Sequence, residues 1–172
     1  MNNVEIERKY LVRIDDIDFD YKKYQSIKIS QGFIYIKPAI RVRKANNEYF
    51  LTVKSKPPKS LKSKDDVART EFEINISKKA YNDLSKLCVG RMIYKTRYLI
   101  PYRAKNVDYT IELDIFEKEL KGLAYAEVEF KSIKSAMNFR PLYWFYKDVT
   151  GVEKYKNTQL SLCKNLKNML KY

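Results

Sequence analysis

The sequence predicts an α+β domain in which about eight antiparallel strands form the sheet and a few short helices pack beside it. Apolar and polar residues alternate with the two-residue period of strands along most of the 172 residues. Helical spacing is confined to short segments between and after the strands, which is typical of α+β rather than α/β folds. The chain length suits one domain, residues 1–172.

The elements follow from this alternation and from local capping residues. Strands are predicted at residues 3–12, 26–36, 39–45, 48–56, 69–76, 92–100, 108–116 and 124–131. Asn46-Asn47 suits a tight hairpin turn. Helices are expected at 16–24, at 78–88 and at 133–138. Ser77 and Ser132 are the expected N-caps of the second and third, and Gly90 is the expected stop of the second. A last helix is expected to begin at an N-cap at Asn157, with an apolar stripe of Leu160, Leu162, Cys163, Leu166, Met169 and Leu170. The aromatic run 142–146 is expected to pack a helix on the sheet, and the basic loop 57–66 has no predicted role.

Composition excludes several kinds of chemistry. The chain has no histidine, which removes the Ser-His-Asp mechanism and the usual zinc sites. Its two cysteines form no Cys-x-x-Cys motif and no disulfide framework. A metal ion would therefore be held by carboxylates, a ligand set that favours Mg²⁺ or Mn²⁺.

The charge balance predicts a polyanionic partner. Lysine and arginine number 35 against 21 acidic residues, a net charge of +14, which attracts nucleic acid, anionic membranes and phosphate-rich small molecules alike. The N-terminus lacks the features of a signal peptide, and no apolar run reaches the ~20 residues of a transmembrane helix. We expect a cytoplasmic protein with no membrane partner; the sequence indicates no oligomeric state.

Charged residues occupy one face of seven predicted strands, because side chains two apart point to the same side. The opposite faces are nearly all apolar. An open sheet with one solvated face would explain this alternation, but acids spaced as Glu-x-Glu repel unless a cation bridges them. The alternative is a closed barrel whose charged interior is a water-filled tunnel. The acids are Glu5, Glu7, Glu71, Glu73, Glu112, Asp114, Glu127 and Glu129, and the cations are Lys9, Arg41, Arg43, Lys54, Arg69, Lys95, Arg97 and Lys131.

Several short motifs, in order along the chain, resemble those of the CYTH superfamily, the triphosphate tunnel metalloenzymes. Glu5-Ile6-Glu7-Arg8-Lys9 matches its Glu-x-Glu-x-Lys signature. The others are Arg41-Val-Arg43, Leu51-Thr-Val-Lys54, Arg69-Thr-Glu71-Phe-Glu73, Lys95-Thr-Arg97-Tyr98, Glu112-Leu-Asp114-Ile-Phe116, Glu117-x-Glu119-Leu-Lys-Gly-Leu123, Ala126-Glu127-Val-Glu129-Phe130, Asp148-Val-Thr150 and Tyr155-Lys-Asn157. The resemblance implies an eight-stranded antiparallel tunnel with helices outside, which binds a small triphosphate and needs Mg²⁺ or Mn²⁺.

The resemblance also implies roles for the charged residues. The predicted metal ligands are Glu5, Glu7, Glu127 and Glu129, with Asp114 added to the set. The predicted substrate-binding cations are Lys9, Arg41, Arg43, Lys54 and Arg97. Lys95, Glu7 and Glu129 are the predicted catalytic residues. With no histidine present, the attacking water would be activated either by Lys95 as base or by the metal, as a metal-bound hydroxide. A second tier comprises Glu71, Glu73, Glu112, Arg69 and Lys131.

Three functions remain open at this point. Hydrolysis of inorganic tripolyphosphate suits a minimal chain with no evident base-recognition pocket. The same fold also carries nucleoside, RNA and thiamine triphosphatases and an adenylate cyclase class, although the His-Phe motif of the cyclases is absent from a chain without histidine. The third possibility is a non-catalytic polyanion or nucleic-acid binder, which the net charge alone does not exclude.

Overall fold

Strand pairing closes the sheet into a barrel. The computed structural model describes residues 4–55, 67–104 and 106–163. Eight antiparallel strands pair in the order β5-β4-β3-β2-β6-β7-β8-β1, and β1 then pairs with β5 through Val4–Ile6 to complete the circle. Within the described ranges the strands are β1 Val4–Val12, β2 Ser26–Tyr35, β3 Ala39–Ala45, β4 Glu48–Ser55, β5 Ala68–Asn75, β6 Val89–Ala104, β7 Val107–Phe116, β8 Ala124–Glu129 and β9 Phe145–Asp148. The predicted closed barrel is confirmed, and the open sheet is excluded.

The ninth strand was not predicted. β9 pairs with Tyr10–Val12 of β1, beyond the point where the pairing with β5 ends. It overlaps the end of the aromatic run 142–146, and that run shares the outer core with Ala136 of the helix at 133–138, so the prediction that it packs a helix on the barrel is confirmed. The run does pack on the barrel, since Trp144 and Phe145 are only 2% and 7% exposed. A short strand forms because the end of β1 would otherwise present unpaired backbone groups.

The helices are short, and the predictions for them were partly correct. They are α1 Lys78–Ser85, α2 Ile133–Asn138 and α3 Asn157–Leu162. Ser77 caps α1 by accepting from the Ala80 N–H at 3.1 Å, and Ser132 caps α2 in a capping box. The residue preceding α3 is Lys156, so the N-cap predicted at Asn157 is wrong by one position.

Two further helix predictions were wrong. Residues 16–24 form no helix, and two 3₁₀ turns, Ile14–Asp16 and Tyr21–Lys23, lie there instead. The Asp20 side chain accepts from the Lys22 N–H, the local bond by which aspartate favours turns over helices. Gly90 is not a helix stop, because α1 ends five residues earlier and Gly90 lies in β6 with φ +74°. The basic loop 57–66 and the stripe residues Leu166, Met169 and Leu170 lie outside the described residues.

Apolar residues form one core outside the barrel and one inside it. The outer core joins the outward faces of β1, β6, β7 and β8 to α2 and to the aromatic segment before β9. The outward residues Phe72 and Ile74 of β5 stay 61% and 43% exposed, so the prediction that helices cover the outward faces is wrong there. Along the described residues, none of the helices has the length and hydrophobicity that a membrane-spanning segment requires.

The second core fills one end of the barrel interior. Its strand members lie two residues from a polar inward position: Leu11 follows Lys9 and Phe116 follows Asp114, whereas Ile93 precedes Lys95 on a strand that runs the opposite way. We call this cluster the apolar plug, and its buried members are Leu11, Phe33, Ile93, Phe116, Leu120, Leu123, Tyr125, Val149, Tyr155 and Leu160. The interior is therefore polar over only part of its length, which corrects the expectation of a water-filled tunnel throughout.

Candidate active site

A cavity of about 420 Å³ occupies the polar part of the barrel interior, and all eight barrel strands contribute side chains to it. Fourteen of the sixteen charged residues that the alternation placed on one face line this cavity. The acids are Glu5, Glu7, Glu71, Glu73, Glu112, Glu127 and Glu129, and the cations are Lys9, Arg41, Arg43, Lys54, Arg69, Lys95 and Arg97. The strand period therefore identified nearly the whole charged lining.

The structure places the other two residues, Asp114 and Lys131, elsewhere. β8 ends at Glu129, so Lys131 follows the strand and is exposed outside the cavity. Asp114 is 0% exposed and is held from two sides. Lys95 Nζ donates to its Oδ2, while Arg97 donates from Nε at 2.7 Å and from Nη2 at 2.8 Å. These bonds occupy both carboxylate oxygens, an arrangement that suits a buried counterion rather than an accessible metal ligand.

Next to the apolar plug lies a buried polar layer, which we call the deep layer. It contains the inward residue nearest the plug on six strands: Lys9, Gln31, Arg41, Lys95, Asp114 and Glu127, none more than 9% exposed. Buried charges are tolerated when they are paired. Lys9 Nζ lies 2.9 Å from Glu127 Oε1, and Arg97 Nη2 lies 2.7 Å from Glu127 Oε2.

Burial and pairing shift the pKa values of these groups in opposite directions. Burial raises the pKa of Glu127, but the charges of Lys9, Lys95 and Arg97 outweigh it and bring that pKa well below its usual range. For Lys95, burial and the neighbouring Arg97 lower the pKa despite the attraction of Asp114. Glu127 is therefore held as a carboxylate, whereas Lys95 is the cation of this network that gives up its proton most easily.

A second set of ion pairs lines the wall formed by β3, β4 and β5. Arg43 Nη2 donates to both carboxylate oxygens of Glu73, at 2.8 and 2.9 Å, and Thr52 Oγ1 donates to the same carboxylate at 2.6 Å. Lys54 Nζ bridges Glu5 and Glu71 at 2.6 and 3.0 Å. Arg41 is held more loosely, since its Nη2 is 3.2 Å from Thr52 Oγ1 and 3.4–3.5 Å from the nearest carboxylates.

The wall formed by β1, β7 and β8 carries an excess of negative charge. Glu7 and Glu129 are direct cross-strand partners, and in the described part of the chain neither has a cation at ion-pair distance. Burial and the charges of Glu127 and Glu5 raise the pKa of Glu7, and burial with Glu5 and Glu7 raises that of Glu129. Burial with Glu127 raises the pKa of Glu112 to about 7, even beside Arg97. Like charges directly opposite in a sheet repel, so this wall is suited to receive a cation.

The donor set fits a hard divalent cation. Every acidic group on this wall is a carboxylate, the ligand that Mg²⁺ and Mn²⁺ prefer. As placed, no three carboxylates of the described residues converge on one point, because Glu5 and Glu127 are turned to Lys54 and Lys9. Mg²⁺ needs no such cage, since it takes one or two carboxylates and keeps several waters. The cross-strand pair Glu7 and Glu129 can supply those two carboxylates.

Four polar cavity residues lie outside the predicted metal-binding, substrate-binding and catalytic sets. Gln31 lies on β2, and Lys156, Asn157 and Thr158 lie where the chain enters α3. Lys156 also pairs with Glu153 at 2.8 Å. Strand alternation places Gln31 on the inward face of β2, but a single amide between Ile29 and Phe33 is not distinguished by sequence from a core position. Lys156 and Asn157 belong to the motif Tyr155-Lys-Asn157, but the motif did not indicate that they contact the cavity, because that contact depends on tertiary structure.

The fold and the cavity define a class of protein: a closed antiparallel barrel whose interior carries paired cations on one side and crowded carboxylates on the other. Comparison with known proteins identifies the family within this class. The family model described as the CYTH domain matches residues 3–138, and the chain belongs to this family.

Two relatives of the chain carry the same name, and one solved structure of that name has the same fold. The chain is 35% identical over 162 residues to a Nitrosomonas europaea protein named inorganic triphosphatase, covering 92% of this chain and 97% of that one. A protein of the same name from Acetivibrio thermocellus is 31% identical over 160 residues, covering 91% and 92%. A crystal structure of an inorganic triphosphatase superposes with a TM-score of 0.62 at 32% identity, covering 92% of this chain and 95% of that one.

Proposed function

We propose that the protein is an inorganic triphosphatase, which hydrolyses a phosphoanhydride bond of tripolyphosphate with Mg²⁺ or Mn²⁺. The observation that carries this proposal is the division of the cavity into a cationic wall on β3 and β4 and a carboxylate wall on β1, β7 and β8. Tripolyphosphate needs cations for its oxygens, and a divalent ion needs the carboxylates. The names of the two relatives, each more than 30% identical, agree with this substrate.

The cationic residues bind and orient the substrate in this proposal. Arg41 and Arg43 present guanidinium groups that can contact two oxygens of one phosphoryl group, and Lys54 adds a point charge beside them. Arg41 is the most readily recruited, because its present contacts are the longest of the set. Fixed cations of this kind also stabilise the negative charge that moves to the leaving phosphate at cleavage.

Glu7 and Glu129 are the proposed metal ligands. Glu5 becomes available once Lys54 turns to phosphate, and Glu127 once Lys9 or Arg97 does, because each of those two cations holds one of its oxygens. A bound divalent ion would neutralise phosphate oxygens and lower the pKa of an attacking water. Because the substrate and the carboxylates both carry negative charge, the two would share the cavity poorly without such an ion.

Lys95 serves in this proposal as a cation rather than as the base. Its ammonium group donates to the fully buried Asp114, which favours the charged form, although burial and Arg97 lower its pKa. As a cation of the deep layer, Lys95 stabilises phosphate oxygens that approach the apolar plug. The attacking water would then be deprotonated at the carboxylate wall, where Glu7 and Glu129 would hold the metal.

The test is phosphate release from tripolyphosphate, ATP and thiamine triphosphate with Mg²⁺ or Mn²⁺. We expect rapid release from tripolyphosphate only with metal, and a loss of about 100-fold or more in Glu7→Gln. Glu48→Gln is the matched control, because Glu48 is exposed at the β3–β4 hairpin, away from the cavity. Substantial release in excess chelator, or unchanged release by Glu7→Gln, would contradict the proposal. Binding without release from any compound would indicate a polyanion binder instead.

A further inference from the structure

The deep layer contains one uncharged polar side chain, that of Gln31. It is 1% exposed, and the other members of the layer are three cations and two carboxylates. Its backbone pairs with Arg43 of β3 on one side and with Ile93 of β6 on the other. Gln31 also lines the cavity, so the amide is both buried in the protein and adjacent to the space that the substrate would fill.

The amide nitrogen of Gln31 has no hydrogen-bond partner in the described part of the protein. Nearly all buried donors in folded proteins are paired, because an unpaired one has lost its bonds to water without replacement. Two neighbouring donors share this condition, since Nε of Arg41 and Nε of Arg43 are also buried and unpaired there. The ion pairs that both arginines form with Glu71 and Glu73 use Nη2, which leaves the Nε groups available.

These three donors lie on adjacent strands at the closed end of the cavity. Phe33, the next inward residue of β2, and Ile93, the cross-strand partner of Gln31, both belong to the apolar plug. A ligand group that reaches Gln31 therefore has little room to extend further. It must offer hydrogen-bond acceptors, because the donors facing it are N–H groups. A terminal phosphoryl group meets both conditions, since it carries only acceptor oxygens and ends the molecule.

We propose that Gln31 is a substrate-binding residue, whose amide N–H donates to a non-bridging oxygen of the terminal phosphoryl group held beside Arg41 and Arg43. This inference rests on the proposed function and deepens it. A neutral donor adds a bond to the phosphoryl group without adding another positive charge to a layer that already holds Lys9, Lys95 and Arg41. It also fixes which end of the cavity receives the terminal phosphate, namely the end closed by the apolar plug.

A purely structural role for Gln31 makes different predictions. If the amide stabilised the empty protein, Gln31→Met would lower the melting temperature of the ligand-free protein. If the donor is reserved for substrate, Gln31→Met leaves that temperature unchanged or raises it, because a side chain of similar length no longer buries an unpaired N–H. Affinity for the substrate would fall in the same variant.

The experiment measures binding apart from turnover. Isothermal titration calorimetry with Mg²⁺ would use a tripolyphosphate analogue in which methylene groups replace the bridging oxygens, so that it resists hydrolysis. The proteins are the full chain, Gln31→Met, Gln31→Glu and the control Gln25→Met, which makes the same exchange at an exposed residue before β2. We expect Gln31→Met to raise Kd about 10-fold, the usual effect of losing one bond to a charged group. Gln31→Glu should raise Kd further, because it turns a carboxylate toward phosphate, and Gln25→Met should bind as the wild type does.

Two results would overturn the inference. One is a Kd for Gln31→Met within about twofold of the wild-type value; the other is failure of the wild type to bind the analogue. A lower melting temperature in ligand-free Gln31→Met with unchanged affinity would assign the residue a structural role. If the wild type binds the analogue through Gln31 but does not hydrolyse tripolyphosphate, the proposed function fails while this contact stands.

Discussion

The buried carboxylate of Asp114 offers the sharpest test of how the cavity is held together. Asp114→Asn keeps the shape of the side chain and removes its charge, which leaves Lys95 and Arg97 without their shared counterion. All three groups are buried, with side chains 2%, 12% and 0% exposed for Lys95, Arg97 and Asp114. Breaking a buried ion pair from one side costs about 3–5 kcal/mol. For a chain of this size, that loss lowers the melting temperature by about 6–20 °C.

The assay is thermal unfolding followed by circular dichroism, and the chain provides a matched control. Asp83 also pairs with two cations, Lys79 at 2.9 Å and Lys86 at 3.3 Å, but it lies on the exposed face of α1. Because solvent already screens that charge, Asp83→Asn should leave the melting temperature unchanged within error. The comparison therefore separates the effect of burial from the loss of two salt bridges.

The same variant distinguishes a counterion from a metal ligand. If Asp114 bound a metal ion, Asp114→Asn would weaken metal affinity and leave the metal-free protein about as stable as before. If Asp114 is the counterion of Lys95 and Arg97, the metal-free protein itself loses stability. Equal melting temperatures for Asp114→Asn and Asp83→Asn would refute the argument from burial.

Two further predictions concern pH and the contact of α3 with the barrel. Burial raises the pKa of Glu112 from 4.5 to about 7 in the folded protein, so wild-type stability falls as pH rises through that interval. The melting temperature of metal-free Glu112→Gln, relative to that of the wild type, should therefore rise between about pH 5 and pH 8. If this difference falls instead, the pKa of Glu112 is lowered and not raised. At Gly90, φ is +74° and an added Cβ would lie 2.4 Å from the Ser161 backbone oxygen. Gly90→Ala should cost about 1–3 kcal/mol in urea unfolding, and unchanged stability would mean that α3 is not held against β6 at this point.

The alternation of charged and apolar residues predicted most of the barrel for a definite physical reason. Only a strand places every second residue on one face, so Glu5, Glu7 and Lys9 had to share a side whatever the tertiary structure. Closure of the sheet was a weaker inference. It depended on the argument that so many charges need a shared interior, and the pairing of β1 with β5 now supplies that closure directly.

Depth within the barrel could not be predicted from the same pattern. Asp114 and Glu112 lie on the same inward face of β7. Asp114 is nevertheless completely buried, whereas Glu112 lines the cavity. The difference arises from the apolar plug, whose members come from distant parts of the chain, including Val149 and Leu160. β9 was missed for a similar reason, because its pairing completes an edge of β1 that only the folded barrel reveals.

The charges inside the barrel nearly cancel, although the protein as a whole carries +14. Among the described residues, seven carboxylates and eight cations line the cavity, and Asp114 lies behind them. The cavity is therefore not a preformed trap for anions. A phosphate that takes Arg43 from Glu73 leaves a carboxylate unpaired, and that carboxylate attracts a cation in turn. In the proposed function, this exchange would couple anion binding to metal binding, and the coupling would act equally in both directions. The paired charges that stabilise the empty barrel would thus let each of the two ligands improve the site for the other.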